Sequence, residues 1–309
     1  MNLLYLSQGY KISDHPGYHD ACLKLHNEGF IDEYLNIPFY GYAQEHGWEG
    51  FYKEVVKICK ERSFDLVFFQ FFHGKDILDP TAYVEKLKAI DQAPLIITSV
   101  GDGFSDNWMR KDYPDSFKQI SQLADLTFST QMGKAADKMS KWGAKNIILS
   151  PLGMCQVRFK AERVDLTKHK FNYDVVFIGS NNGNRLFNPI SKHWWGAKKR
   201  QQLVTALYQK FGNKFGLFGN GWNLPCSKGP IPFDQQQNIF RQGKIIVGGN
   251  PYSHSDYYSS NRLFNEIASG IPTVELYVPR LDKLFRNNDH LYFAQDVEDV
   301  ILPKMWRML

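Results

Sequence analysis

Extremes of every kind are scarce in this 309-residue chain, and each scarcity removes a class of protein. There are four cysteines, Cys22, Cys59, Cys155 and Cys226. They are scattered, with no CxxC pair and no histidine at metal-ligand spacing, so neither a disulfide framework nor a structural zinc site is expected, and buried free thiols are the plain reading. No run of about 18 apolar residues exists, which removes a membrane-spanning helix; the most apolar stretch, Phe64 to Phe72, already contains Asp65 and Gln70. The opening MNLLYLSQGY lacks a basic n-region and a secretory-length apolar run, so it reads as a first strand and a cytoplasmic protein is expected. Charge imbalance is small, 37 Lys plus Arg against 32 Asp plus Glu, or +5. At 43% hydrophobic and 22% charged residues, disorder, collagen-like repeats and coiled coil are excluded and a folded protein of about two domains is left.

What the chain does contain is a rhythm. Short apolar runs bounded by Gly, Pro or Asp recur at Asn2–Ser7, Asp65–Phe72, Pro94–Val100, Asp125–Ser129 and Asn146–Ser150, the pattern of buried parallel strands. Helical spacing separates them, around Asp20–Glu28, Trp48–Arg62, Tyr83–Ile90 and Met132–Trp142. After the polar stretch Lys160–Lys170 the rhythm restarts, with strands at Asp174–Gly179, Phe215–Gly219, Lys244–Gly248 and Pro272–Leu276. Alternation of this kind predicts an α/β protein of two doubly wound Rossmann-like domains, 1–155 and 156–309, with the boundary near residues 155–172. Ligands of open α/β sheets bind beyond the carboxyl ends of the strands, so two such domains are expected to face each other across a cleft.

Two segments carry chemistry. Asp174-Val-Val-Phe-Ile-Gly179-Ser180-Asn181-Asn182-Gly183-Asn184-Arg185 runs from a strand into a small polar loop, where Gly179 allows close approach and loop N–H groups with Arg185 suit a diphosphate. It is neither a Walker A sequence nor a GxGxxG that opens a helix, and no acidic residue follows at dinucleotide spacing, which argues against a nicotinamide enzyme. The second segment, Tyr257 to Glu275, reads as a helix that Ser259 or Ser260 can cap, that Gly270 and Pro272 stop, and that a buried strand follows. Arg262 and Glu266 share one face of that helix. A solvated ion pair explains them poorly, because Arg before Glu is the weaker order and both charges oppose the helix dipole. Local rules broken without a structural gain point to a ligand.

Taken in order, the Asp174–Gly179 strand, Leu217-Phe-Gly219-Asn-Gly-Trp222 and Arg262-x-x-x-Glu266-x-x-x-Gly270 with Pro272 resemble the carboxyl-terminal half of a GT-B glycosyltransferase. The likeness is to the CgeB-like branch of the retaining group that includes glycosyltransferase family 4. Gly229–Pro232, the polar helix after it and Lys244-Ile-Ile-Val fit the same order, as do Asp125–Ser129, Gly143 and Ile147–Gly153 before the linker, so that the resemblance spans residues 120–300. It implies a UDP- or GDP-sugar donor held by the second domain, a hydroxyl acceptor held by the first, and a metal-independent hexosyl transfer. By position it implies that Glu266 accepts hydrogen bonds from the ribose hydroxyls. Arg262 would serve the helix start or the diphosphate, the Gly179–Asn184 loop with Gly179, Ser180 and Asn181 would face the phosphates, Gly219 would belong to the same nucleotide site, and Gly270 would end the helix beside the nucleotide. Arg200, opening a helix in Arg200-Gln-Gln-Leu203, is a second diphosphate candidate, consistent with charge on the leaving group being met by fixed donors.

Two departures stand out. Family 4 enzymes often carry a glutamate eight positions before the ribose-binding one, and here that position is Tyr258. The chain also reaches Leu309 soon after Asp296–Val300, where the family usually continues through helices that return to the first domain. A non-catalytic nucleotide-sugar-binding protein on the same fold is therefore the alternative. On the acceptor side His15, His19 and Asp20 follow the first strand, Asp102 follows the Pro94–Val100 strand in Gly101-Asp-Gly103, and His73 follows the aromatic one. His15 and Asp102 lead this group as groups able to deprotonate an acceptor hydroxyl. Leu186–Lys199, which contains Lys192-His-Trp-Trp195-Gly-Ala-Lys198-Lys199 immediately before Arg200, has no counterpart in the family and reads as a loop. Interleaved basic and aromatic residues suit phosphates and bases, which makes a hydroxymethylated base in DNA a candidate acceptor beside the plainer reading of an aromatic lid.

Overall fold

The computed structural model describes residues 1–74, 76–101, 113–181, 192–250, 252 and 254–301. Contacts divide them into two units, one ending at Ser150 and the other beginning at Pro151.

In the first unit the order is β1 (Asn2–Ser7), α1 (Pro16–Asn27), β2 (Glu33–Pro38), α2 (Phe39–Glu61), β3 (Leu66–Gln70), α3 (Thr81–Lys88), β4 (Leu95–Val100), α4 (Asp115–Leu123), β5 (Leu126–Ser129), α5 (Lys134–Lys141) and β6 (Ile147–Leu149). The strands form one parallel sheet in the order β2-β1-β3-β4-β5-β6. Side chains alternate across it, so Leu4, Leu6, Val67, Phe69 and Ile96 enter the main core while Leu3 and Tyr5 pack with Cys22 and Ile31 on the other face. Every strand expected here from an apolar run forms. β2 escapes such reading because Glu33-Tyr-Leu-Asn-Ile-Pro38 is a polar edge strand, buried only at Ile37. α2 starts nine residues before the expected Trp48 and is broken at Gly47, whose φ of 72° and ψ of 163° are open to glycine at little steric expense.

The second unit contains β7 (Tyr173–Ile178), α6 (Lys192–Phe211), β8 (Phe215–Phe218), α7 (Gln236–Phe240), β9 (Gly243–Gly248), α8 (Asn261–Ala268), β10 (Thr273–Leu276), β11 (Tyr292–Ala294) and α9 (Val297–Ile301). Its sheet is also parallel, in the order β11-β10-β9-β7-β8. Both units are thus doubly wound α/β layers, as the alternation of strand and helix predicts. In each sheet the order reverses once beside the first strand, between β1 and β3 and between β7 and β9, and these switch points are where such sheets take ligands.

The Lys192–Arg200 segment is helical, not a loop. Ala197, Arg200, Leu203, Val204 and Leu207 are buried at three- and four-residue spacing, so a single stripe of α6 faces the core. Ahead of β7, Phe159 is buried against Phe233, and Lys160 O accepts from Gln237 Nε2 at 2.6 Å, which ties the polar stretch to α7.

Candidate active site

At the β7/β9 switch point the strand ends are drawn together by guanidinium groups. Arg200 lies in the third turn of α6 rather than at a helix start, and its side chain is buried. Its Nε and Nη2 donate to Gly249 O at 2.9 and 2.8 Å, and its Nη1 donates to Ser180 O at 3.0 Å. Arg262 adds a third bond to the same carbonyl, Nη2 to Gly249 O at 3.1 Å, while its Nε donates to Glu266 Oε1 at 2.9 Å. Three charge-assisted bonds converge on one peptide oxygen, which fixes the chain where β9 leaves the sheet. Burial lowers the Arg200 pKa to about 9, helped by Arg262 and opposed by Glu275. The group stays cationic at neutral pH.

The Arg262–Glu266 pair is therefore a buried one. Glu266 is fully enclosed, and a solvated i,i+4 pair on the surface is ruled out. Arg262 also lies over the Phe177 ring, 5.8 Å from its centre. Neither Ser259 nor Ser260 caps α8 through its hydroxyl, although Ser260 occupies the cap position.

The loop after β7 is an extension of the sheet. Gly179 N donates to Phe218 O at 2.9 Å and Asn181 N to Asn220 O at 2.8 Å, so two N–H groups expected to face phosphates already pair with the last residue of β8 and the segment after it. Trp222 Nε1 closes the same turn on Gly179 O at 2.6 Å, and Gln201 Nε2 holds Asn181 Oδ1 at 2.8 Å. Gly219, at a φ of 131°, touches the Gly179 carbonyl so closely that a side chain there would collide with it. Gly179 is itself backed by Arg262, whose Nη1 would stand 2.9 Å from a side-chain carbon on that glycine. Gly179, Ser180, Gly219, Arg200, Arg262 and Glu266 are thus brought together. Arg185 lies outside the described residues.

Gly270, expected beside the nucleotide, stops α8 with a φ of 78°, as its sequence context predicts, and a side chain there would strike Glu162 O and Val164, next to the starting end of β10. α8 runs back along the sheet, so its last residue lies at the strand end opposite the switch point. Gly270 shapes the linker and stands apart from the nucleotide-site candidates.

Sequence reasoning missed four members of this cluster. Asn250 follows β9 and donates from Nδ2 to Glu275 Oε1 at 2.9 Å, Glu275 lies in β10, and Trp222 and Gln201 brace the loop. A glutamate inside an otherwise apolar strand, Thr273-Val-Glu275-Leu276, was the available signal. At the first unit's switch point, Tyr5 OH donates to Gln70 Oε1, Gln8 N reaches the same oxygen at 3.3 Å, and Ser7 Oγ donates to Asn36 Oδ1 at 2.7 Å. His19 Nδ1 is bonded to Tyr34 OH at 2.9 Å, one turn further along α1 from His15. His15 stands at the start of α1, and burial holds its pKa below the ordinary histidine value against the raising effect of Asp14. His73 follows β3, its carbonyl held by Tyr40 OH. Asp102 lies outside the described residues. Among them, no three His, Cys, Asp or Glu side chains come together as a metal site.

Residues 199–302, a third of the chain, match the family model described as glycosyl transferase-like. The whole chain superposes on HepE of Anabaena, solved with UDP-glucose, with a TM-score of 0.58 at 14% identity, covering 100% of this chain and 89% of that one. The fold is GT-B, and its second unit carries the glycosyl transferase-like segment. Two further GT-B neighbours are similar. An α-glucosyltransferase solved with UDP-glucose and DNA containing an abasic site gives a TM-score of 0.55 at 10% identity, over 89% of this chain and 79% of that one. Sucrose-phosphate synthase of Thermosynechococcus elongatus gives 0.51 at 12% identity, over 88% and 70%. No curated protein matches by sequence. No helix among the described residues is long and apolar enough to cross a membrane.

Proposed function

We propose that this protein is a hexosyltransferase that moves a sugar from a UDP-sugar to a hydroxyl acceptor with retention of configuration, GDP-sugars being the next donors to test. One observation carries the reading: Arg262, Glu266 and the Gly179–Asn181 turn meet at the β7/β9 switch point, inside and beside the segment that matches the glycosyl transferase-like model. A guanidinium beside a glycine turn suits a diphosphate, and a carboxylate suits ribose hydroxyls. Arg200, with three nitrogens already on carbonyl oxygens, serves here to hold the two loops in place. Support for UDP comes from the HepE and α-glucosyltransferase complexes, both of which contain UDP-glucose. On the acceptor side His15, kept neutral by partial burial, has the free ring nitrogen that a proton acceptor needs, and Asp102 is its companion candidate.

For the acceptor we propose hydroxymethylated DNA, a reading supported by the α-glucosyltransferase–DNA complex and by the basic, aromatic opening of α6. The test is thermal stabilisation by UDP-, GDP-, ADP- and dTDP-sugars, followed by sugar transfer to duplex DNA bearing hydroxymethylated bases. A UDP-sugar shift that is lost in Glu266→Ala, followed by transfer, is the expected result; no shift from any donor would sink the proposal. Neutralising Lys192, Lys198 and Lys199 together should weaken DNA binding and flatten its salt dependence. The non-catalytic alternative draws on Tyr258, a buried tyrosine where related enzymes carry an acid. Donor hydrolysis decides between them, since a binding module shows no turnover at any enzyme concentration.

A further inference from the structure

Glu275 is as deeply buried as Glu266, yet it has no cationic partner among the described residues. Its Oε1 accepts from Asn250 Nδ2 at 2.9 Å, and its Oε2 accepts nothing from the described residues. Glu266 repeats the arrangement, with Oε1 on Arg262 and Oε2 unpartnered. Both idle oxygens point to one place. A side-chain carbon on Gly248, the last residue of β9, would overlap Glu275 Oε2 and stand 2.9 Å from Glu266 Oε2. The glycine is what leaves room for two carboxyl groups over one backbone position.

The groups facing this pair are few. Arg200 comes from α6 and Arg262 from α8, Asn250 follows β9, and Tyr258, ahead of α8, faces Arg200. Both guanidinium groups aim their bonds at Gly249 O, Ser180 O and Glu266, and none at Glu275. Two ionised carboxylates here would each lack hydration and would repel one another. A single proton removes one charge and lets an O–H of one acid satisfy the idle oxygen of the other. Burial pushes both carboxyls up and Arg262 and Arg200 oppose it at both, but the charge of Glu266 raises Glu275 further, and the direct bond from Arg262 Nε goes to Glu266. Arg262 therefore marks Glu266 as the ionised member.

We propose that Glu266 and Glu275 share one proton with Glu275 as the acid, making Glu275 a positioning residue that orients Glu266 and leaves the two-arginine cluster with one positive charge in excess for an anionic ligand. Fully ionised, two carboxylates and two guanidinium groups cancel; with the proton in place the cluster is cationic beside the Gly179 turn. The ligand half of this inference rests on the donor-site reading above, while the proton sharing does not.

The test begins without ligand, on the full chain. A proton held in the folded state but released by the unfolded chain above a carboxyl pKa of about 4.3 makes the wild type lose stability as pH rises. Glu275→Gln keeps the shape of the neutral acid and cannot titrate. Between about pH 5.5 and 8.5 the melting temperature of Glu275→Gln should therefore gain on the wild type by a few degrees. In parallel, the infrared band of a protonated carboxyl group should be present in the wild type at pH 6 and titrate away as the pH is raised. A gap that stays flat with pH, together with no such band, overturns the proposal; if Glu275→Gln does not fold, the infrared titration of the wild type decides alone. With UDP-glucose as probe, wild-type affinity should fall as pH rises, by at most about tenfold per unit, and Glu275→Gln should bind with little pH dependence. pH-independent binding by the wild type overturns the positioning role. No UDP-glucose binding at all, with the stability signature intact, refutes the donor reading and supports the shared proton.

Discussion

The two units place different chemistry on the same frame. Each is a parallel sheet whose order reverses beside its first strand. At the β1/β3 switch point the buried groups are neutral, Tyr5, Gln70 and Ser7 with Asn36 close by, and the surrounding rings include Tyr18 and Phe68. At β7/β9 they are ionic: Arg200, Arg262 and Glu266, with Glu275 behind them. On the function proposed above, the neutral set suits an uncharged hydroxyl-bearing acceptor and Arg262 suits a diphosphate. The difference illustrates that strand order fixes where a site forms while the residues at the strand ends fix what it takes.

Removing Arg200 tests the contrast most severely. Arg200→Met keeps an unbranched stem on α6 but leaves Ser180 O without its charged donor, Gly249 O with only the bond from Arg262 Nη2, and Glu275 further from any compensation. The second unit should lose roughly 3–5 kcal/mol, read as a lower denaturation midpoint. An unchanged midpoint would mean that the clamp contributes little.

Glu266→Ala comes next. It should weaken UDP-sugar binding by about 10- to 100-fold, the roughly 1.5–3 kcal/mol expected for hydrogen bonds to a charged group, as measured by calorimetry. Equal affinity in wild type and mutant would remove the central assignment.

Trp222→Phe separates packing from hydrogen bonding, because the ring stays against Phe177 while the bond to Gly179 O disappears. The expected loss is about 1 kcal/mol of stability with a smaller effect on donor affinity. The mildest change is His15→Gln in the first unit. Burial lowers the His15 pKa, so the folded state resists its protonation; that contribution is absent well above the unfolded value of about 6.5 and works against the fold as pH falls below it. The variant should lose less stability than the wild type between about pH 7 and 5, opposite in direction to the alkaline loss expected for Glu275.

Much of the frame is legible in the sequence. Each apolar run bounded by Gly, Pro or Asp became a strand, because a strand covered on both faces must be apolar throughout. The polar edge strand β2, the three-residue β11 and the short helix α9 were not legible, since their burial is partial or their length too small to repeat a pattern. In the candidate site, the Arg262–Glu266 pair was legible as a breach of helix rules and the Gly179 turn as a glycine after a strand. Asn250, Trp222 and Gln201 were not, because each acts through a bond to a segment 20 to 43 residues away.

Local sequence by itself determined the alternation of strand and helix, the stop of α8 at Gly270 and the side of α8 that carries Arg262 and Glu266, because periodicity and backbone preference act over a few residues. Only the tertiary structure decided that Arg200 turns inward to hold two loops, that Gly270 lies at the far end of its sheet, and that Glu275 shares its burial with Glu266. Burial and electrostatic coupling depend on which strand lies beside which, and strand order is set by packing between segments distant in the chain.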